Sequence, residues 1–592
     1  MAPPIVVAID FGTTRSAYAY TVEGEARGNI LVRVPDSAIT SPSSSVKTET
    51  AALFSHGGRG DLIAFGPEAL DQFAHQDHDE EDAALFRWFK VDLCESVQGQ
   101  TSVERVMTKS TSGRHTVPLL HVMKASLVYF KDDVLRFLSS TRGRDVDAKE
   151  VAWVITVPAI YDDFAKRFMR QAAHGAGMVD RVDSVRLRLC LEPEAACLAV
   201  TKDDNPLTCE AEGKNMMIVD CGGGTVDITA YKILSVDPLN LAEVAAPDGG
   251  IWGSTLVDNA FEELLIKLLG SWMDEVSDET YLFIMMTWER KKAEFTGQDS
   301  SQSLRLDLSQ LSNNGLTRED MEVGGARELR TRYNSSRSAP HKVKGKNFMV
   351  TLPATLVSTL FTPTIEKIAQ CLRKISGMSA VRNLHRVYLV GGFSRSPLLK
   401  SKAREELQRF SRCVVDVHEP DLAIVRGAVM YPTMSTVFNS RKAKLTYGTE
   451  VSLEFDGTSS EHVKRHAAGK TTMIGDTVYV TGGFSAHVNV EDDIPTDGVL
   501  TCRRYVPLEE TATTSTIRIY ASSTKSPGYV DERGCFKVGQ VTFDLDMTKP
   551  TRHERSYRVE MTFGGIELTV KVLHDKEDVQ IKDAVMDISR AR

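Results

Sequence analysis

Two short glycine turns, each placed after an apolar run that ends in an aspartate, constrain this chain more than any other feature. The first lies within residues 5–16 and includes Asp10, and the second lies within residues 216–227 and includes Asp220. A glycine has no Cβ to hold the backbone away from a ligand, so the amide N–H groups of such turns can approach phosphate oxygens. The aspartates suit a hydrated magnesium ion, which keeps several waters and binds few carboxylates. Two turns in different parts of the chain predict two similar lobes that face one nucleotide.

Length and charge narrow the class of protein. A chain of 592 residues is too long for one hydrophobic core, so several domains are expected. A net charge of −9 gives no indication of the basic face that nucleic-acid binding requires. No apolar run reaches the ~20 residues of a membrane span, and the start of the chain shows no secretory signal pattern. The nine cysteines include no C-x-x-C pair, which favours a reduced compartment. We therefore expect a cytoplasmic or nuclear protein without nucleic-acid or membrane partners.

Strand and helix patterns alternate over the first three quarters of the chain and predict two α/β lobes, at residues 1–200 and 201–440. Helical spacing predicts a helix over 80–93, and a polar insertion interrupts the second lobe at about 298–347. Residues 385–397 form a strand, a glycine turn and a helix start marked by an early proline. The N-terminus of that helix is expected to face an anion or the sugar of a nucleotide.

The composition changes after about residue 440. Helical spacing almost disappears there, and short alternating runs rich in β-branched residues replace it. Such runs, at this spacing, are typical of an antiparallel sandwich. Residues 441–592 are therefore predicted to form an all-β domain.

The motifs occur in a fixed order that resembles a known family. The first turn, the Glu-Pro-Glu segment at 192–194, the second turn at 216–227 and the Gly-Gly pair at 391–392 resemble the actin-like ATPase fold. Within that fold they resemble the seventy-kilodalton heat-shock protein family, in particular its divergent heat shock 70 kDa protein 12-like subgroup. The likeness covers residues 3–430 strongly and the remainder weakly. It implies a bilobal ATPase domain of two RNase H-like subdomains with insertions, followed by an all-β domain. Because the chain ends shortly after its β-rich region, that domain is expected to be a sandwich without a long helical lid.

The resemblance also implies ligands and roles. The implied cofactors are ATP or ADP with Mg²⁺, and the implied partner is a polypeptide client. The residues that resemble metal-orienting carboxylates are Asp10, Asp220 and Asp227. Those that resemble the catalytic and water-placing groups are Lys90, Glu192 and Thr225. The phosphate-binding positions are Gly12, Thr13, Thr14 and Arg15 in the first turn and Gly222, Gly223, Gly224 and Thr225 in the second. The nucleoside-binding positions are Glu289, Lys292, Gly391, Gly392, Arg395 and, near the base of the cleft, Asp421.

The chain departs from the family pattern at three places. Arg15 replaces an aromatic residue, and Ala293 stands where the family usually has an arginine stacked on adenine. Loss of that planar cationic contact is expected to weaken nucleotide binding by ~1 kcal/mol or more. Residues 431–446 lack the acidic-flanked leucine run of the family linker, so the coupling of hydrolysis to client release and the presence of co-chaperones stay open.

Three functions are compatible with these patterns. The first is a chaperone-like ATPase whose slow hydrolysis is coupled to polypeptide binding by the C-terminal domain. The second is a sugar kinase, because kinases of small molecules share the bilobal fold, although no clear substrate-loop motif is found. The third is a nucleotide-sensing scaffold that does not hydrolyse ATP. A second interpretation of Lys90 is that it is a solvated lysine without a catalytic role, since an amphipathic helix surface commonly carries one.

Overall fold

The computed structural model describes residues 5–22, 30–35, 47–75, 83–95, 102–204, 207–269, 276–297, 303–307, 344–346, 349–408, 414–496, 498, 500–563, 567–575 and 580–584. These residues form a mixed α/β structure, as the sequence patterns predict. Most of the polar insertion predicted at 298–347 lies outside them. Within the described ranges, no helix is long and apolar enough to cross a membrane.

The first region of the chain is built around a six-stranded sheet. Its apolar first strand is almost fully buried, pairs antiparallel with the strand that returns from the first glycine turn, and pairs parallel with a strand more than a hundred residues later. The elements are β1 (Ile5–Phe11), β2 (Arg15–Val22), β3 (Leu31–Arg33), β4 (Thr48–Glu49), β5 (Ala51–Phe54), β6 (Leu62–Phe65), α1 (Pro67–His75), β7 (Ala84–Arg87), α2 (Asp92–Glu95), β8 (Met107–Lys109), β9 (Thr116–Pro118), α3 (Leu119–Arg142), β10 (Val151–Val157), α4 (Asp163–Gly175), β11 (Leu187–Leu191) and α5 (Glu192–Ala199).

The helix predicted over 80–93 is wrong in its described part. Residues 84–87 form β7, which pairs with β5 in a small three-stranded sheet, and a 3-10 turn over Phe89–Val91 leads into α2. Ala84, Leu85 and Phe86 are all buried. A short apolar run buried on both faces has no periodicity that separates a strand from a helix, so only its partner strand decides the outcome.

The second region repeats the plan of the first. A strand, the second glycine turn and a returning strand are again followed by helices and by two later parallel strands. The elements are β12 (Asn215–Cys221), β13 (Val226–Val236), β14 (Leu239–Gly250), α6 (Thr255–Leu269), α7 (Asp278–Glu294), β15 (Leu304–Asp307), β16 (Lys344–Lys346), β17 (Met349–Leu352), α8 (Ala354–Gly377), β18 (Leu384–Val390), α9 (Pro397–Glu406), β19 (Val414–Asp416) and α10 (Ala423–Met434).

The two large sheets share one strand order. The first runs β11-β10-β1-β2-β3, with β4 also paired to β2, and the second runs β19-β18-β12-β13-β14 before two further strands. In each, the first three strands form an antiparallel meander and the last two lie parallel beside the first. Because both turns follow the first strand of their sheet, the two phosphate-turn candidates occupy equivalent places.

Helices α5 and α10 pack between the two sheets. They belong to a buried cluster that includes Ala8 and Val154 of the first sheet and Ile218 and Tyr388 of the second. The helices approach closely at Gly427, where a Cβ would overlap the carbonyl oxygen of Ala195. A shared apolar core therefore joins the two sheets at the base of the space between them.

The third region is mostly β. A five-stranded sheet, β22-β23-β21-β26-β27, and a four-stranded sheet, β25-β28-β29-β30, bury apolar residues against each other. The described residues of this region include one short α-helix, which fits a sequence in which helical spacing almost disappears. The elements are β20 (Phe438–Lys442), β21 (Thr446–Glu454), α11 (Ser460–Ala467), β22 (Thr471–Ile474), β23 (Thr477–Val488), β24 (Asp493–Pro495), β25 (Leu500–Tyr505), β26 (Thr514–Ser522), β27 (Cys535–Asp544), β28 (Tyr557–Thr562), β29 (Thr569–His574) and β30 (Gln580–Ala584).

The segment that connects the second and third regions is itself a strand of the second large sheet. β20 pairs parallel with β14 at Leu241 and antiparallel with β24, so the sheet order ends in β14-β20-β24. Residues 431–446 lack the leucine run of the family linker, yet part of that segment still pairs with the second sheet.

Candidate functional site

The two glycine turns meet around one cavity. Gly223 packs against the side chain of Thr14, and Gly224 packs against that of Thr13, so closely that a Cβ on either glycine would overlap the threonine. The second turn is closed by a hydrogen bond from the Gly222 amide to the Thr225 carbonyl at 2.9 Å. All these residues, with Gly12 and Arg15, line a cavity of about 680 Å³. The structure thus brings both predicted phosphate turns together.

Carboxylates gather beside the turns. Asp10 and Asp220 line the cavity and are almost fully buried. Asp10 Oδ1 accepts a hydrogen bond from Thr156 Oγ1 at 3.0 Å, whereas Asp220 Oδ1 has no hydrogen-bond partner in the described structure. Burial, and then the nearby Glu192, Asp227 and Asp10, raises the pKa of Asp220 well above its ordinary value. A cation at this place would relieve that repulsion.

Asp227, the third predicted metal-binding residue, does not line the cavity. It lies opposite Asp220 on the neighbouring strand, and its Oδ1 accepts a hydrogen bond from the Ile160 amide at 2.8 Å. Burial, followed by repulsion from Glu192, raises its pKa to about 7, and the nearby Lys444 acts in the opposite direction. Asp227 therefore lies beside Asp220 but does not line the cavity, and its Oδ2 has no hydrogen-bond partner in the described structure.

Lys90 and Glu192 form a buried ion pair on the cavity wall. Lys90 lies in the 3-10 turn after β7, and its Nζ is 2.8 Å from Oε1 of Glu192, the first residue of α5. The side chain of Lys90 is 3% exposed, so the alternative of a solvated lysine on a helix surface does not describe it. Burial raises the pKa of Glu192, and the charge of Lys90 partly offsets that effect.

A second lysine reaches the carboxylates and was missed by sequence reasoning. The Nζ of Lys47 pairs with Oδ2 of Asp10, and its side chain is 10% exposed. Lys47 directly precedes β4, whose neighbour Thr50 donates its amide to Thr14 O at 2.9 Å and its hydroxyl to Gly12 O at 2.9 Å. The pairing of β4 with β2 therefore fixes Lys47 against the first turn. No motif in the surrounding serine-rich stretch signals this position.

One wall of the cavity carries the predicted nucleoside residues Glu289 and Lys292. Glu289 accepts an ion-pairing hydrogen bond from Arg87 of β7 at 2.7 Å, which links the first and second regions across the opening. Lys292 pairs with the buried Asp258 at 2.7 Å. Ala293 also lines the cavity, so this wall lacks the planar cation that the family resemblance leads one to expect.

The opposite wall is formed by the segment after β18. Gly391 has φ 81°, donates its amide to Pro420 O at 2.8 Å and lies against Asp220, where a Cβ would overlap the carboxylate. Arg395 pairs with Asp421 at 2.5 Å. Gly392, Arg395 and Asp421 line the same cavity as the two turns. Every predicted site residue except Asp227 therefore lines the same cavity.

The residues present fit a magnesium nucleotide. The glycine turns line the cavity, and Asp220 offers an unpaired carboxylate oxygen on its wall. Among the described residues, no three His, Cys, Asp or Glu side chains are arranged to hold a metal ion directly. The two carboxylates that line the cavity, Asp10 and Asp220, suit magnesium, which dehydrates reluctantly and is held through few carboxylates and its own waters.

The connecting segment contacts the helix that carries Glu192. Arg441 of β20 forms two hydrogen bonds with Glu194 of α5, at 2.6 and 3.0 Å. The amide of Lys442 donates to the buried Glu243 at 2.7 Å. Burial, and then the charge of Lys166, lowers the pKa of the adjacent Lys444 to about 8. A charged junction thus lies directly behind the nucleotide-site candidates.

Comparisons with known proteins bear on the family resemblance of the motifs. A family model described as Hsp70 protein matches residues 128–263, which include Glu192 and the second turn. Human heat shock 70 kDa protein 12A is 27% identical over 95% of this chain and 88% of its own length. The mouse protein of that name gives the same figures, and human heat shock 70 kDa protein 12B is 26% identical over 96% of this chain and 88% of its own. The predicted resemblance is confirmed: this chain is similar to the Hsp70 family over residues 128–263 and to the heat shock 70 kDa protein 12 relatives over most of its length.

Proposed function

We propose that this protein is an ATP-dependent, chaperone-like ATPase with an actin-like bilobal fold, in which slow hydrolysis controls polypeptide binding by the C-terminal β domain. The observation that carries the proposal is the meeting of two equivalent glycine turns around one cavity lined by Asp10 and Asp220. Similarity to the Hsp70 family supports nucleotide binding of this kind. The turns supply backbone amides for phosphate oxygens from both sheets at once.

The side chains around the turns suit phosphoryl transfer to water. Such a reaction asks the protein mainly for positioning and charge neutralisation, and magnesium bound with the nucleotide supplies part of that neutralisation. Lys90 is held by Glu192, so its ammonium has a fixed place on the wall from which it can orient a water molecule. Thr225 completes the second turn beside the same space. In this proposal the pair of Lys90 and Glu192 places the water, and Asp10 and Asp220 orient the metal.

A continuous set of contacts supports coupling between the cavity and the C-terminal domain. Arg441 of the connecting strand binds Glu194, which lies two residues from Glu192 at the start of α5. Further along, Tyr447 donates to Asp163 of α4 at 3.0 Å, and Arg170 of the same helix binds Glu567 at 2.7 and 2.8 Å. We propose that a shift of α5 on hydrolysis weakens these contacts and releases the β domain.

The β domain offers edges for an extended client. β22 and β27 are the outer strands of the five-stranded sheet. Each exposes a large apolar side chain: Met473 is 71% exposed, and Phe536 is 47% exposed. Exposed sheet edges bind extended peptides by adding a strand, with backbone hydrogen bonds and pockets for alternate side chains.

A nucleotide sensor that does not hydrolyse ATP is the second candidate. The observation that favours it is Ala293 on the cavity wall, since the loss of a stacked cation there weakens the hold on the base. The sugar-kinase alternative has no such observation in its favour.

One assay separates the three functions. ATP turnover of the full chain is measured alone, with an unfolded polypeptide, and with a panel of sugars. The proposal expects slow turnover that the polypeptide changes and the sugars leave unaltered. Phosphorylated sugar would establish the kinase, and nucleotide binding without any phosphate release would establish the sensor. The matched control is Asp220→Asn, which should weaken binding of the magnesium nucleotide without altering the fold.

A further inference from the structure

Asp10, a candidate metal-orienting residue, forms an ion pair with a lysine of the same chain, Lys47. Lys47 Nζ contacts Asp10 Oδ2, while Thr156 occupies Oδ1 of the same carboxylate, so both oxygens of this candidate metal-orienting residue are engaged. Lys47 also lines the cavity beside Gly12 and Thr14. Its charge acts on Glu192 and Asp220 as well, where it favours the ionised form of each carboxyl group.

The position of Lys47 is built into the fold. β4 pairs with β2 at Arg15 and Ser16, immediately after the first glycine turn. Thr50 then anchors the chain to the turn through three hydrogen bonds, to Thr14 O, Gly12 O and Ser16 Oγ, at 2.8 to 2.9 Å. A lysine placed by a strand that also fixes the phosphate turn has little freedom to leave the site. The ammonium group of Lys47 is thus placed next to the expected polyphosphate.

We propose that Lys47 is an internal counter-cation of the phosphate site: it binds the nucleotide's phosphate oxygens and takes over part of the charge neutralisation that magnesium provides. This inference rests on the proposed nucleotide site and adds a phosphate-binding residue to it. An ammonium group donates charge-assisted hydrogen bonds to phosphate, and such bonds are stronger than neutral ones. It also competes with a metal for Asp10, so both effects make nucleotide binding less dependent on magnesium.

The test measures the magnesium dependence of binding, not catalysis. Calorimetry with ADP on the full chain gives the dissociation constant in excess magnesium and in excess EDTA, and the ratio of the second to the first is the quantity of interest. We expect a small ratio for the natural chain and a ratio about tenfold higher or more for Lys47→Met, the size expected for one charge-assisted contact. Lys47→Arg, which keeps the charge, should restore much of the natural value.

Two further variants complete the design. Lys47→Gln keeps a hydrogen-bond donor for Asp10 but not the charge, and it should raise the ratio as Lys47→Met does, so the result does not depend on the folding of one variant. Lys232→Met removes an exposed lysine from β13 and should leave the ratio unchanged. If ADP binds and the ratio is the same in all variants, the role of Lys47 is refuted while the nucleotide site stands. If ADP binds under neither condition, the proposed site and the role of Lys47 fall together.

Discussion

Lys90 and Glu192 are the two residues whose removal should separate catalysis from binding. Both are buried, and each is the nearest charged partner of the other at 2.8 Å. Removing one member of a buried ion pair leaves the other charge uncompensated, which costs ~3–5 kcal/mol, whereas replacing both costs less. A loss of turnover must therefore be distinguished from a loss of folding.

Lys90→Met should reduce ATP turnover at least tenfold while the affinity for the magnesium nucleotide changes little, because placing water is a transition-state role. Single-turnover kinetics and calorimetry measure the two quantities. The double variant Lys90→Met, Glu192→Gln is the folding control and should unfold at a higher temperature than Lys90→Met alone. Equal losses of turnover and affinity would instead make Lys90 a phosphate ligand or a structural residue.

Asp220→Asn should have opposite effects on stability and on binding. The carboxylate is buried, has an unpaired oxygen in the described structure and lies among other acids that raise its pKa. Replacing this acid by a neutral amide should raise the melting temperature of the ligand-free protein, because folding then no longer has to bury a group whose ionised form is unfavourable there. The same substitution should weaken binding of the magnesium nucleotide. A variant that loses both stability and affinity would contradict a metal-orienting role.

Among the elements, the interface between the two C-terminal sheets contains a buried imidazole. His487 of β23 makes contacts with Thr501 Oγ1 at 2.9 Å and with the Tyr505 hydroxyl at 3.1 Å. Burial, with a smaller contribution from Arg503, lowers its pKa from 6.5 to about 4. The folded domain therefore holds this ring neutral at a pH where the unfolded chain would protonate it.

This shift predicts a pH dependence of stability. Between pH 6.5 and 4 the unfolded chain binds the proton more readily than the folded one, so stability falls as the pH decreases through this window and is fully present above it. The drop in melting temperature between pH 7.5 and 5 should be smaller in His487→Gln than in the natural chain. His466→Gln, a change at an exposed histidine of α11, is the comparison. An identical drop in all three proteins would show that His487 does not carry the effect.

Local elements could be predicted where neighbouring residues determine them. Asp162 is a good helix cap in any context, and its side chain does accept the Ala165 amide at 2.8 Å at the start of α4. β7 and Lys47 could not be predicted, because each is placed by a partner strand that is distant in the sequence: β7 by β5, and Lys47 by the pairing of β4 with β2. The glycine turns could also be predicted, because neighbouring residues determine each of them. The contact between the two turns depends on the whole fold.

At the scale of the whole molecule, a few charged contacts hold the β domain against the first region. The Nε of Arg170 in α4 donates to both carboxylate oxygens of Glu567, at 2.7 and 2.8 Å, and both side chains are partly shielded from water. The pair of Arg441 and Glu194 fixes the connecting strand. Bidentate pairs of this kind give orientation as well as attraction.

Arg170→Glu should loosen the docked β domain. Two acidic side chains would then face each other, and the segment around residues 443–446 should be cleaved faster in limited proteolysis. The combined change Arg170→Glu, Glu567→Arg restores opposite charges and should slow cleavage again. Arg181→Glu, at an exposed pair with Asp183, is the control and should leave the rate unaltered. Unchanged cleavage in Arg170→Glu would show that this pair does not contribute to docking.

The order in which the second large sheet receives its strands has a consequence for synthesis on the ribosome. β14 ends at Gly250, but the strands that cover its outer edge lie at Phe438–Lys442 and Asp493–Pro495. At translation rates of ~5–20 residues per second, the outer edge of β14 stays without a partner strand for roughly ten seconds or more. An open strand edge is a template for pairing with other chains. During this time the nascent protein can itself become a client of factors that bind exposed strand edges. The exposure ends only when the connecting strand, β20, leaves the ribosome and pairs with β14.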